Sequence, residues 1–468
     1  MYLKRDIEDD ILKWYNSKSK KVLRIDGARQ VGKTSTILDF IEKHYTHRIL
    51  LNLSEGNYHW LLEILSKARD DMARIDPIKF TRLVHERSGL TFVNDKSTII
   101  FIDEVQIDHR IYNYLRLLNR NLKCDIIISG SYLNRALEPK YFQPAGDITS
   151  LSMYSLSFCE FLRVVDENVY NDVMKWPSIE LDDKRLEDVK RLFSVYIRIG
   201  GYPEAVTAFL ENDYEYAATY PVIARAFNTT LDESTIKLEA SNERRTFINI
   251  ANRLIAIMST NKRGKIDLIE TITREIECKS DGKISKKECS MVLAWFRECH
   301  LIGSVPKYVL PDIVNDYTGE KTYFLDVGML AFFNDNSNIE ASEIKGLLAE
   351  TFVYRAMIEA DYPNKFTGID PHFGVYGDGE IDFFAKCKSD NLKYAFEVKH
   401  GNQGGKTATR LLKDKIADKV VYFMGDHKHT INDDVEIVPL CLAERWFSNV
   451  KYKDYGAADP SLFKCNLF

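Results

Sequence analysis

The run Gly27-Ala28-Arg29-Gln30-Val31-Gly32-Lys33-Thr34 constrains this chain more than anything else in it. It matches the spacing GxxxxGK[ST] and falls between an apolar segment, Lys21–Asp26 (KVLRID), and a helix-like pattern. In that setting the two glycines let the loop curl so that backbone N–H groups face phosphates, and the start of the helix adds a favourable dipole. Lys33 then neutralises the terminal phosphates, Thr34 ligates magnesium, and Gly27 through Ser35 form the expected ATP-contacting set. A strand that feeds such a loop belongs to an α/β fold with a parallel sheet.

A carboxylate at the end of a neighbouring strand is the second requirement. Thr98–Asp103 (TIIFID) supplies Asp103 and is followed by Glu104. The expectation is that Asp103 holds magnesium through its water shell, while Glu104 orients and deprotonates the attacking water. Asp125–Ser129 (DIIIS) ends in Ser129, placed to contact the terminal phosphate or that water. Arg48–Leu53 (RILLNL) completes the candidate strands.

At 468 residues the chain is too long for one ordinary core, and ~100 to 200 residues per domain suggests about three. Hydrophobic residues at 45% and charged residues at 28% exclude a disordered or fibrous chain. The N-terminal MYLKRDIEDDILKWY offers neither a secretory signal nor a membrane span, and the eight cysteines show no metal-binding spacing, so the chain reads as cytoplasmic with reduced thiols. The polar stretch from Val165 to Asp188 reads as a connection. Helical periodicity then runs through Phe193–Phe209, Thr246–Met258, Lys265–Ile276 and Lys286–His300. Two apolar segments around the turn-like Asp316–Lys321 follow, an order that fits a winged helix. Beyond Ile344 come a helix at Leu347–Met357, strands around Glu380–Cys387 and Lys393–Val398, and a buried strand at Lys419–Met424. The boundaries read 1–164, 165–340 and 341–468.

The chain resembles the prokaryotic AAA-type ATPases whose P-loop domain is fused to a C-terminal domain of unknown function with restriction-endonuclease-like motifs. Besides GARQVGKT and FIDEVQ, the resemblance rests on SLSFCEF at Ser155–Phe161, GGYPEAV at Gly200–Val206 and YFLDVGML at Tyr323–Leu330. It implies an AAA-type P-loop domain, a helical and winged-helix middle, and a C-terminal α/β nuclease-like domain. One departure is Asp147 after Ala145-Gly146, where such proteins commonly carry an arginine. Arg29, Arg110 and Arg135 are the other candidates for an arginine that completes the ATP site.

Glu380-Ile381-Asp382 followed by Glu397-Val398-Lys399 looks like the PD-(D/E)xK nuclease pattern. On a strand, Glu397 and Lys399 project from the same face. Asp382 and Glu397 would hold Mg²⁺ or Mn²⁺ and Lys399 would assist the reacting charge, with Glu350 completing the cluster as in the resembling nucleases. Solvated ion pairs give the same letters. The net charge of −5 gives no global preference for nucleic acid, yet residues 386–420 carry nine Lys or Arg against four acids. Arg244, Arg245, Arg253, Lys262, Arg263 and Lys265 also suit DNA or a plain solvated helix face. The expectation is ATP-driven action on DNA with metal-dependent cleavage, no membrane partner, and oligomerisation left open. The rival is a nucleotide-controlled binding switch with an inert C-terminal site; a helicase lacks further motifs.

Overall fold

The computed structural model describes residues 2–18, 21–56, 58–68, 74–131, 145–236, 241–260, 268–277, 284–335, 339–399 and 405–454. The chain divides into two compact units: Met1–Val165, Ile199–Asn252 and Ile276–Ile302 form the first, and Asp166–Arg198, Arg253–Glu275 and Gly303–Phe468 the second. No helix among the described residues is long and apolar enough to cross a membrane.

The first unit is built on a five-stranded sheet of β1 (Val22–Asp26), β2 (His47–Asn52), β3 (Thr98–Asp103), β4 (Asp125–Gly130) and β5 (Ile148–Ser152). Its order is β2-β3-β4-β1-β5, and the neighbouring strands pair in parallel. Every residue of β3 and β4 is buried, which is why both read as continuous apolar runs rather than alternating ones. Because the strands are parallel, the loop after β1, the acid that ends β3 and the serine near the end of β4 reach the same edge, where ligands bind in such sheets. The edge strand β5 escaped the sequence reading, since its Ile-Thr-Ser-Leu-Ser is largely half-buried and polar. Helix Lys33–His44 starts directly on the loop, with Gly32 at φ 96° as its N-cap.

The second unit holds an eight-stranded mixed sheet of β6 (Ile302–Val309), β7 (Val314–Phe324), β8 (His372–Tyr376), β9 (Gly379–Lys386), β10 (Lys393–Lys399), β11 (Lys419–Met424), β12 (Thr430–Asn432) and β13 (Val435–Pro439). The order is β12-β13-β11-β10-β9-β8-β6-β7. The turn expected at Asp316–Lys321 instead lies inside β7, and the strands expected as a wing belong to this sheet, with β6 pairing in parallel to β8. Packing explains the difference. Helix Ala341–Glu359 lies so close to β6 that a Cβ on Gly303 would sit 1.9 Å from the Tyr354 hydroxyl, and Tyr354 stacks on Tyr323 of β7 at 4.9 Å. Arg355 fixes the end of β7 by donating to the Leu325 carbonyl at 2.9 Å.

The polar stretch expected as a connection is helical. Asp166 caps helix Glu167–Lys175 by accepting from the amides of Asn168 and Val169, and Asp183–Ile199 follows. Asp166 and Glu167 thus serve a helix N-terminus rather than a linker.

Candidate functional site

The P-loop is shaped by three positive-φ residues, Gly27, Gln30 and Gly32, and a close approach. Gly27 has φ 151°, and a Cβ there would stand 1.9 Å from the Met153 carbonyl oxygen. Lys33 is buried, with its ammonium donating to the carbonyls of Gly27 at 2.9 Å and Ala28 at 2.7 Å and to Ser131 Oγ at 3.1 Å. Burial pulls its pKa down to about 8, against the attraction of Glu104 and Asp103. At the edge of β3 the Thr34 hydroxyl donates to Asp103 Oδ2 at 2.6 Å, and the Ser129 hydroxyl donates to Oδ1. Hydroxyl and carboxylate oxygens of this kind suit magnesium, so the residues fit the ion that the motif implies.

Glu104 follows in a left-handed conformation at φ 54°, which turns its side chain away from the strand's alternation. Gln106 donates to Glu104 Oε2, and Arg29 Nη2 lies 3.5 Å from the same oxygen. Arg29 also contacts Glu233, on helix Tyr220–Ile236. Neither Gln106 nor Glu233 was singled out from the sequence; Gln106 stood inside FIDEVQ, but nothing local marks Glu233.

The connecting motifs turn out to support the loop. Glu160 of SLSFCEF accepts from the amide of Ser157 while Ser157 Oγ accepts from that of Glu160, a reciprocal helix cap. Glu160 also pairs with buried Arg5 at 3.1 Å, and Arg5 donates to the carbonyls of Val31 at 2.6 Å and Tyr154 at 2.7 Å. In GGYPEAV, Gly201 accepts from the Leu156 amide at 2.7 Å, and a Cβ there would meet Leu156 oxygen at 2.0 Å. Behind β1, Asp26 accepts from Ser152 at 3.0 Å, lies 3.3 Å from Arg24 and 4.0 Å from His300.

Among the described residues, Arg29 is the candidate arginine found at the site. Arg110 forks onto Asp108, and Arg135 lies outside the described residues. Asp147, the departure from the resembling proteins, takes Arg116 at 2.9 Å and Arg120 at 3.4 Å.

In the second unit Asp382 and Glu397 come together with Glu350 near them, but among cations. Asp382 Oδ2 accepts from the Val398 amide at 2.8 Å. Lys399 pairs with Glu397 at 2.5 Å, and Tyr323 donates to Glu350 at 3.2 Å. Lys321, which ends the turn-like DYTGEK, is only 3% exposed; it contacts Glu380 and lies 3.9 Å from Asp382. Burial, Glu350 and Glu397 push the Asp382 pKa up to about 8. Burial opposes the charge on Lys321, yet Tyr323, Glu350, Asp382 and Glu380 together raise its pKa. Among the described residues no group of three or more His, Cys, Asp and Glu side chains converges as a metal ion requires. Lys321 lies 3.9 Å from Asp382 and Lys399 pairs with Glu397, so two of the three acids expected to hold Mg²⁺ or Mn²⁺ already face a cation.

The local basic excess is also smaller than its letters. Arg410 pairs with Asp378 at 3.0 Å and Lys419 with Asp434 at 2.9 Å, acids that lie outside residues 386–420. Arg244 and Arg245 are exposed, while Lys262, Arg263 and Lys265 lie outside the described residues.

Comparison with known proteins agrees with the first unit's geometry. Residues 19–162 match the family described as an AAA domain, and residues 190–340 match a domain of unknown function (DUF8612). No curated protein matches the chain. Among solved structures, the Walker-type ATPase Paby2304 of Pyrococcus abyssi is 13% identical, with a TM-score of 0.43 over 71% of this chain and 96% of that one. The Aeropyrum pernix ORC1 protein in complex with DNA is 13% identical, with a TM-score of 0.31 over 75% and 94%. Drosophila ORC bound to DNA is 17% identical, with a TM-score of 0.26 over 64% and 86%. Such loose likenesses carry no argument about substrate. The chain carries an AAA-type P-loop domain at residues 19–162, followed by a domain whose family has no assigned function.

Proposed function

We propose that the first unit binds ATP with Mg²⁺ and hydrolyses it. The observation that carries this reading is the contact between the Thr34 hydroxyl and Asp103 at 2.6 Å, with Glu104 next in sequence and Lys33 inside the loop. Gly27 through Ser35 enclose the phosphates with backbone donors, and Lys33 exchanges loop carbonyls for phosphate oxygens. Thr34 and Asp103 hold magnesium, which when bound supplies charge neutralisation at the phosphates. Ser129 keeps Asp103 oriented, and Glu104 takes the proton from the attacking water. The test is Glu104→Gln, which keeps the shape but loses the base. ATP affinity is expected to persist while turnover falls by about a hundredfold or more; near wild-type hydrolysis would remove Glu104 from this role.

For the second unit, Lys321 supports a binding module under nucleotide control over a metal-dependent nuclease. Nuclease folds can persist without their chemistry. Incubation of the whole protein with plasmid, linear and single-stranded DNA, with Mg²⁺ or Mn²⁺ and with or without ATP, decides between them: no cleavage is expected, and cleavage abolished by Asp382→Ala would sink this reading.

A further inference from the structure

Arg29 belongs to the phosphate loop itself, yet its guanidinium contacts Glu233 and stands 3.5 Å from Glu104. Each of the three side chains is largely covered, with 24%, 16% and 17% exposed for Arg29, Glu233 and Glu104. An arginine set against the expected base occupies the carboxylate that is to face the attacking water. A nucleoside triphosphate brings a second, more highly charged partner to the same loop. The planar fork of a guanidinium matches phosphate oxygens as well as it matches carboxylate. A diphosphate lacks the group that would compete.

We infer that Arg29 is the arginine that engages the terminal phosphate of ATP, and that Glu233 is a positioning residue that holds it on the carboxylate side of the exchange. The inference rests on the ATP-binding reading above. When Arg29 moves to phosphate, Glu104 keeps the hydrogen bond from Gln106 and its carboxylate is released to face the attacking water. Glu233 loses the Arg29 contact in the same step. Helix Tyr220–Ile236, inside the region that matches the domain of unknown function, therefore senses whether the third phosphate is present. One exchange would couple recognition of ATP, release of the base and a signal to a helix beyond the sheet.

The experiment is calorimetric titration of the full-length protein with Mg²⁺ plus either a non-hydrolysable ATP analogue or ADP. The wild type should prefer the analogue. Arg29→Ala should lower its affinity about tenfold or more, the loss expected for a charge-assisted bond, and lower ADP affinity far less. Glu233→Gln should shift the analogue the other way, to tighter binding, again with ADP affected far less. An Arg29→Ala protein that keeps the wild-type ratio of the two affinities overturns the role of Arg29. Should that variant fold poorly, Glu233→Gln decides alone, because an unchanged ratio there overturns the exchange. Failure of the parent reading looks different: the wild type would bind neither nucleotide, which overturns both.

Discussion

Lys321 shows how one side chain can weigh against the reading of three others. Asp382, Glu397 and Lys399 have the letters and strand geometry of a metal-dependent nuclease, and those letters were legible. Lys321 was not, because it ends a stretch whose composition says only turn, and it reaches the acids solely through the addition of β7 to the sheet. Its charge is matched by Glu380, which is 37% exposed, and by the largely buried Asp382, so removing the ammonium leaves the Asp382 carboxyl buried without its cation. Lys321→Met is expected to destabilise the second unit by on the order of 3 kcal/mol, the usual scale for breaking a buried pair. Adding Asp382→Asn should restore part of the loss, since it removes the stranded charge. Chemical unfolding followed by tryptophan fluorescence measures both, and a single variant as stable as the wild type would show that the pair does not hold the fold.

Elements were legible where one force dominated them. β3 and β4 are buried throughout, so their apolar runs stood out, and the strand–loop–helix around Gly27 followed from its glycines. β5 and the capped helices after Val165 were not, because edge exposure and N-terminal acids gave them the composition of loops. The motif SLSFCEF is intermediate: its letters announced a family, but its work becomes visible only when Glu160 is seen to cap its own helix and to hold Arg5 against Val31. Glu160→Gln keeps most of that shape and removes the charge facing Arg5, both partners being about 5% exposed or less. The expected cost is about 3 kcal/mol of stability. ATP affinity should weaken too, since Arg5 supports the Val31 carbonyl inside the P-loop. Denaturant melts and a fluorescent-nucleotide titration read the two effects; a stability loss with unchanged affinity would confine Glu160 to the helix cap.

On the scale of the whole molecule, the expected boundaries at 164/165 and 340/341 follow the sequence patterns but not the folding units. The chain leaves the first unit after Val165, returns at Ile199 and again at Ile276, and ends in the second. Periodicity reports which segments are helices; it carries no information on which sheet each helix serves, because an amphipathic stripe does not name its partner. The returning segments bring Gly201 to the Leu156 amide, Glu233 to Arg29 and His300 to the side of Asp26. A polypeptide that stops at Val165 therefore contains every letter of the ATP motifs but lacks these three supports. It also exposes the apolar surface that Ala205, Val206 and Phe209 of the first returning helix, all buried, help to cover. The expected outcome is a fragment that melts well below the full chain and binds ATP at least tenfold more weakly, with aggregation at high concentration. Thermal unfolding and nucleotide titration of fragment and full chain side by side test this. A fragment with the melting temperature and affinity of the whole protein would mean that residues 1–165 fold and bind alone, and that the returning helices serve the second unit or a partner instead.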